Sequence, residues 1–146
     1  MILSRNFVRD YLSLDDDLSI SDIALDMVKV GNEYDSCGPL IRATNLVVGQ
    51  VLEVKMHPDS DHLHLCRVDV GTEVLDIVCG APNVKEGLKV IVALVGAKLP
   101  GGVIKSGKIR GCVSNGMLCS IKELGLDNKF LSKEDIEGLA ELGEDA

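Results

Sequence analysis

Aromatic side chains are nearly absent from this chain. It has two Phe, two Tyr and no Trp among 146 residues, and none of them lies between Tyr34 and Phe130. That gap excludes from the middle of the protein any recognition by stacking nucleobases on aromatic rings, a contact worth ~1–3 kcal/mol per base where it occurs. Acids are missing over a shorter stretch: no Asp or Glu lies between Glu86 and Glu123, while Lys89, Lys98, Lys105, Lys108, Arg110 and Lys122 all do. Histidine stops at His64, so a Cys–His pair built on Cys112, the best-placed thiol beside Arg110, would need a partner from far upstream. The five cysteines, at 37, 66, 79, 112 and 119, are odd in number, contain no C-x-x-C pair and sit in or beside apolar segments. They read as reduced thiols and favour neither disulfides nor zinc. No apolar run approaches the roughly 20 residues that span a bilayer, and the start has neither a basic nor a sustained apolar signal region, so the reading is cytoplasmic with no membrane partner.

What is present is a hydrophobic content of 46%, enough for a real core, and a net charge of −8 that is unevenly spread. Residues 1–38 carry 3 bases and 8 acids, residues 39–122 carry 10 bases and 7 acids, and residues 123–146 carry 2 bases and 8 acids. A mildly basic centre between two acidic flanks points to a polyanion as the partner of the centre.

Residues 1–38 have helical spacing. Ser4 caps a helix expected to reach Leu12, with Phe7, Val8, Tyr11 and Leu12 on one stripe that reads as core. Ser19 with Asp22 forms a capping box before Ile20, Ile23, Ala24, Met27 and Val28, and Gly31 stops the helix. From Leu46 the period changes to alternation. Leu52, Val54 and Met56 are followed by Cys66, Val68 and Val70, by Leu75, Ile77 and Cys79, by the apolar run 88–95, and by a last short strand at 116–119. The expected fold is mainly β with flanking α: a five-stranded barrel in residues 39–122, OB-type, though composition alone does not separate it from another small barrel, short helices in 1–38 that pack outside it, and an acidic helical tail in 123–146 with Ser132 and Asp135 as a second capping box.

The cations at 105, 108 and 110 stand among glycines, so the backbone can turn tightly and let a phosphate come close. Lys105, Lys108 and Arg110, with Lys98 and Arg67, are the candidate phosphate contacts, which position RNA without reading its sequence. Asn115-Gly116 reads as a tight turn. The group His57, Asp59, Asp61, His62 and His64 has metal-ligating side chains but no catalytic-metal spacing, so no metal site is assigned.

Several strings together carry a family signature: His57-Pro58-Asp59-Ser60-Asp61-His62-Leu63, Cys79-Gly80-Ala81-Pro82-Asn83-Val84, Leu99-Pro100-Gly101-Gly102, Ile109-Arg110-Gly111, and Ser114-Asn115-Gly116-Met117-Leu118-Cys119-Ser120 followed by Lys122-Glu123-Leu124-Gly125. They resemble the tRNA-binding OB-fold domain. Within that family the N-terminal region of bacterial phenylalanyl-tRNA synthetase β subunits is the most similar, through the last two of those strings, the Cys-Gly-Ala-Pro-Asn-Val string and Val30-Gly31-Asn32-Glu33. The resemblance covers essentially the whole chain and implies an N-terminal fragment of a subunit several times longer, with residues 1–38 a partial helical N-terminal domain. It further implies an α2β2 ligase that joins phenylalanine to its tRNA with ATP and magnesium, catalysis in the α subunit, and a fragment with no catalytic residue or cofactor of its own. Its partners would be tRNA, bound weakly, the remainder of the β subunit and the α subunit; the alternative is a purely structural module of the synthetase without direct tRNA contact. Ser114 and Asn115 join the tRNA-binding candidates on this ground, and His57, Pro58, Asp59, Asp61, Gly111, Gly116 and Met117 become positions of structural motifs.

Overall fold

The computed structural model describes residues 3–126, 129 and 131–146; positions 127, 128 and 130 of the anticipated acidic tail lie outside the described residues. The chain divides into two units, residues 1–39 and 40–146. None of its described helices is long and apolar enough to cross a membrane.

In the first unit, helix α1 (Arg5–Arg9) starts where the Ser4 hydroxyl accepts from the Phe7 amide at 3.1 Å. The helix ends earlier than its stripe suggests, in a turn where the Tyr11 and Leu12 amides both bond the Val8 carbonyl. Helix α2 (Ile20–Lys29) opens with the expected capping box, the Asp22 amide donating to Ser19 Oγ at 3.1 Å and the Ser19 amide to the Asp22 carboxylate at 3.2 Å. The stripe read as core is exposed within this unit: Phe7, Tyr11 and Leu12 keep more than half their surface, and Ala24 alone is buried among the described residues. Helices of 5 and 10 residues cannot enclose a core by themselves.

The second unit is the barrel. Strand β1 (Leu46–Met56) is central, flanked by β2 (His64–Asp69), β3 (Val74–Cys79), β4 (Lys89–Leu94) and, later in the chain, by β5 (Lys98–Leu99), β6 (Gly102–Val103), β7 (Gly107–Ile109), β8 (Cys112–Ser114) and β9 (Gly116–Leu118). The main sheet is antiparallel in the order β3-β2-β1-β4-β9, while β5–β6 and β7–β8 are separate two-stranded hairpins. β1 serves both halves: Leu46–Gln50 pairs with β4, and Gln50–Met56 pairs with β2 past an irregularity between Val51 and Glu53. Such slips bend a strand and raise its twist, as closure requires. Gly49 sits at this bend because a Cβ there would lie 2.6 Å from Val92 Cγ2 and 2.8 Å from Val68 Cγ1. Inside, Val51, Cys66, Val68, Ile77, Val90 and Val92 form the centre of the core, and Ala93, Ala97, Cys119 and Leu124 form a second cluster.

The gap between β3 and the β8–β9 segment is closed by two contacts. The Asn115 amide donates to the Asp76 carbonyl at 2.8 Å, and the Val78 amide donates to Ser114 Oγ at 3.1 Å, while that hydroxyl donates on to the Gly116 carbonyl at 3.2 Å. Asn115-Gly116 is therefore not the hairpin turn expected from the dipeptide: Asn115 lacks positive φ and links β8 to β9. Gly116 does have positive φ, 156°, and opens β9, where a Cβ would meet the Ala93 carbonyl oxygen at 3.0 Å and Ile77 Cδ1 at 3.2 Å.

The acidic tail contributes to the barrel as well as to a helix. After α3 (Lys133–Glu137), capped by Ser132 and Asp135, Leu139 enters the core, and Glu141 bridges to Val90. Asn83 holds this return by accepting from the Leu139 amide at 2.8 Å and donating to the Leu139 carbonyl at 3.2 Å.

Candidate nucleic-acid interface

The basic segment is held in place by a hairpin and a loop. Between β7 and β8, Ile109 faces Cys112 across a two-residue turn in which both Arg110 (φ 47°) and Gly111 (φ 86°) are left-handed. That is the pattern of a type I′ turn, whose twist suits a hairpin. The Asp59 amide donates to His57 Nδ1 at 3.0 Å, so the hydrogen-bond pattern assigns the ring proton to Nε2, which donates to the Ile109 carbonyl at 3.2 Å. The Arg110 guanidinium donates to the Asp59 carbonyl at 2.8 Å. Residues 57–61, including Pro58, thus form a structural loop that grips the hairpin tip, and buried His57 has both nitrogens occupied. Asp61 is drawn to His62, whose ring nitrogen lies 3.0 Å from its carboxylate; this bond, helped by the charges of His62 and Arg110, holds the carboxyl below its ordinary range.

The five candidate cations do not converge. Lys105 and Lys108 line one groove of about 550 Å³, and neither has an ion-pair or hydrogen-bond partner among the described residues. The loop between them is fixed by Ser106, whose hydroxyl donates to Asn115 Oδ1 at 2.7 Å. Arg110 is turned to the 57–61 loop, and Lys98 stands on β5, its amide bonded to Thr44 Oγ1 at 3.2 Å. Arg67 lies in register between Glu53 and Asp76 on the neighbouring strands, with Lys55 2.6 Å from Glu53. The outer surface of β1–β3 is therefore charge-balanced, and the positive charge lining the groove is that of Lys105 and Lys108. Ser114 is only 4% exposed, and its hydroxyl is spent on barrel closure. Met117 lines the groove and packs on the second core cluster. Sequence reasoning missed the rest of the groove, supplied by Ile104, Gly107, Ser120, Glu123 and the 136–139 segment, because only the fold brings these distant residues together.

The described residues hold no cluster of three or more metal-ligating side chains, and the thiols are poorly suited to attack. All five are free. Cys66 and Cys79 are buried free thiols; hydrogen bonding to Cys79, with burial, pushes the Cys66 thiol up, and burial raises Cys119 to about 11. Among the described residues, no His bonds the half-buried Cys112 thiol.

Comparison with known proteins matches residues 46–145 to a family model described as "Putative tRNA binding domain". The chain belongs to this tRNA-binding domain family. The match takes in every strand of the barrel and the Leu139–Glu141 return. Among curated relatives, this chain is 47% identical over 142 residues to the phenylalanine–tRNA ligase beta subunit of Shouchella clausii, covering 95% of this chain and 18% of that protein. It is 50% identical over 148 residues to the subunit of the same name from Rhodospirillum rubrum, covering 99% of this chain and again 18% of the relative. It thus spans less than a fifth of the length of the relatives it matches. Among solved structures it is similar to the C-terminal domain of Plasmodium vivax p43, with 30% identity, 55% and 47% of the two chains covered and a TM-score of 0.43.

Proposed function

We infer that this chain is the tRNA-contacting module of a phenylalanine–tRNA ligase β subunit and that it takes no part in the ligation chemistry. ATP and magnesium are then used by the whole α2β2 enzyme at the α subunit, in the cytoplasm. Residues 1–38 belong to a helical domain completed by other parts of the β subunit, and residues 39–122 with their 123–146 extension form the tRNA-binding domain. The supporting observation is the pair of unpartnered ammonium groups, Lys105 and Lys108, on a groove within a domain of the tRNA-binding family. Arg110 and Lys98 add outlying positive charge, Asn115 holds the lysine loop, and Ser114 acts through the fold.

Phosphate contacts release counterions, with a slope of log affinity against log salt of about −0.7 to −0.9 per contact. Fluorescence anisotropy with labelled tRNA across a salt series is the test. Wild type should bind weakly and salt-dependently, and Lys105→Ala with Lys108→Ala should flatten the slope by about 1.5 and weaken all tRNAs alike. Absence of salt-sensitive binding by the wild-type chain at low ionic strength would refute this function for the domain by itself.

A further inference from the structure

The 105–108 groove has a polarity that phosphate contact alone does not use. Lys105 and Lys108 come from the β6–β8 region, whereas its carboxylates, Glu123 and Glu137, come from the short helical turn at Lys122–Leu124 and from α3. The same groove is also lined by aliphatic side chains, with Leu63, Ile104, Met117 and Leu139 among its members. Glu123 is fixed in place: its Oε2 accepts from the Ser120 amide at 2.7 Å and from the Ser120 hydroxyl at 3.1 Å, and no protein donor among the described residues reaches Oε1. Glu137 is only loosely engaged, 4.0 Å from Lys133 Nζ. A ligand that fits has an anionic group for the lysines, a flat apolar body for the aliphatic walls and a hydrogen-bond donor for a carboxylate.

We propose that this groove takes one unpaired nucleotide of the bound tRNA, its phosphate on Lys105 and Lys108 and a base bearing an exocyclic amino group against the aliphatic walls, donating to Glu123. This rests on the tRNA reading above and deepens it. RNA-binding proteins read single-stranded positions by taking splayed-out bases into pockets, and a carboxylate accepting from the cytosine amino group is an established pairing. The volume lies in the range of small-ligand sites, roughly 300–1,000 Å³. Without aromatic walls the base is held by aliphatic contact and one hydrogen bond, so affinity for a free nucleotide is low and the tRNA supplies the effective concentration.

The test is an NMR titration of the whole chain with cytidine 5′-monophosphate, uridine 5′-monophosphate and inorganic phosphate. Cytidine monophosphate should move the signals of Ile104, Met117 and Leu139, phosphate should move only the surroundings of Lys105 and Lys108, and uridine monophosphate should bind several-fold more weakly. Equal shifts from phosphate and cytidine monophosphate, or equal binding of the two nucleotides, overturn the proposal. A groove-filling variant, Gly107→Leu, gives an independent reading, because Gly107 lines the groove and a Cβ there meets nothing within 4 Å. It should weaken both cytidine monophosphate and tRNA about tenfold while leaving the salt slope of tRNA binding unchanged. If Gly107→Leu binds tRNA as wild type does, the nucleotide pocket fails and the tRNA reading survives. If the wild type shows no salt-sensitive tRNA binding, the tRNA reading fails.

Discussion

Ser114→Ala removes one oxygen atom and opens the seam of the barrel. In the wild type that oxygen accepts from the Val78 amide at 3.1 Å and donates to the Gly116 carbonyl at 3.2 Å, at a side chain 4% exposed. The substitution strands the Val78 amide, which has no ladder partner on that edge, because β3 pairs only with β2 through the regular sheet. A buried donor left without a partner costs about 1–3 kcal/mol, and the lost bond to Gly116 adds about 1 kcal/mol. The expected loss is therefore about 2–4 kcal/mol. With a slope near 2 kcal/mol per molar urea, the unfolding midpoint should fall by roughly 1–2 M. Urea denaturation followed by far-UV circular dichroism reads this directly, and tRNA binding measured where the variant is still folded should match wild type. A midpoint within 0.2 M of wild type, on the order of a surface substitution's ±0.5 kcal/mol, would refute the closure role. A folded Ser114→Ala variant that lost tRNA affinity would instead make the hydroxyl an RNA contact.

Three further outcomes are expected. Gly49→Ala should lower stability by about 1–3 kcal/mol in the same urea assay, because its new methyl would meet two valine side chains inside 3 Å; an unchanged midpoint would show that β1 can shift to make room. In native protein at pH 8, a thiol reagent should label exposed Cys37 rapidly and leave Cys66, Cys79 and Cys119 protected, with all five titrating after denaturation without reductant; rapid labelling of Cys119 would contradict its burial and its raised pKa. The hydrogen bonds from Ser19 and Ser132 lower the pKa of Asp22 and Asp135 below the ordinary 3.8, so each cap contributes fully above that value and is lost as pH falls through the lower folded-state pKa. Helical ellipticity should accordingly drop only in strong acid, and Asp22→Asn, which cannot ionise, should show a smaller acid-induced drop than wild type.

The barrel was readable because its signal is local. Alternation at 66–70 and 75–79, and the apolar run from 88 to 95, each encode a strand whose buried face meets the core, and the observed burial of Val68, Ile77, Val90 and Val92 follows it. The alternation at 52–56 encodes a strand but the wrong face, because the irregularity between Val51 and Glu53 leaves Val51 buried and Leu52 and Met56 exposed. The capping boxes at Ser19 and Ser132 were legible for the same reason. What local pattern could not supply was the meaning of Asn115-Gly116, whose dipeptide suits a hairpin turn but whose place is set by Asp76 and Ala93 far upstream. The left-handed turn fell instead at Arg110-Gly111, where Arg carries no such signal and the conformation is held by contacts with His57 and Asp59. The candidate interface was half visible: charge counting found Lys105 and Lys108, but grouped them with Arg67, which the register places between two carboxylates. Glu123 was passed over because its share in the groove exists only after β9 and the helical tail have packed.

The double duty of β1 also sets an order of events in time. Pairing of β1 with β2 and of β2 with β3 requires only short loops, whereas Gln50 must find Lys89 before β4 can join, and Val78 meets Ser114 across 36 positions. Entropy of loop closure favours the β1–β2–β3 meander as the early nucleus and delays the seam until β4 has docked on the first half of β1. A substitution in the meander, such as Val68→Ala, should then slow folding, while Ser114→Ala should leave the folding rate almost untouched and accelerate unfolding. The barrel would open in reverse at the same place, so the Val78 amide, although buried, should exchange its hydrogen through seam opening well before the amides of the β1–β2 ladder do.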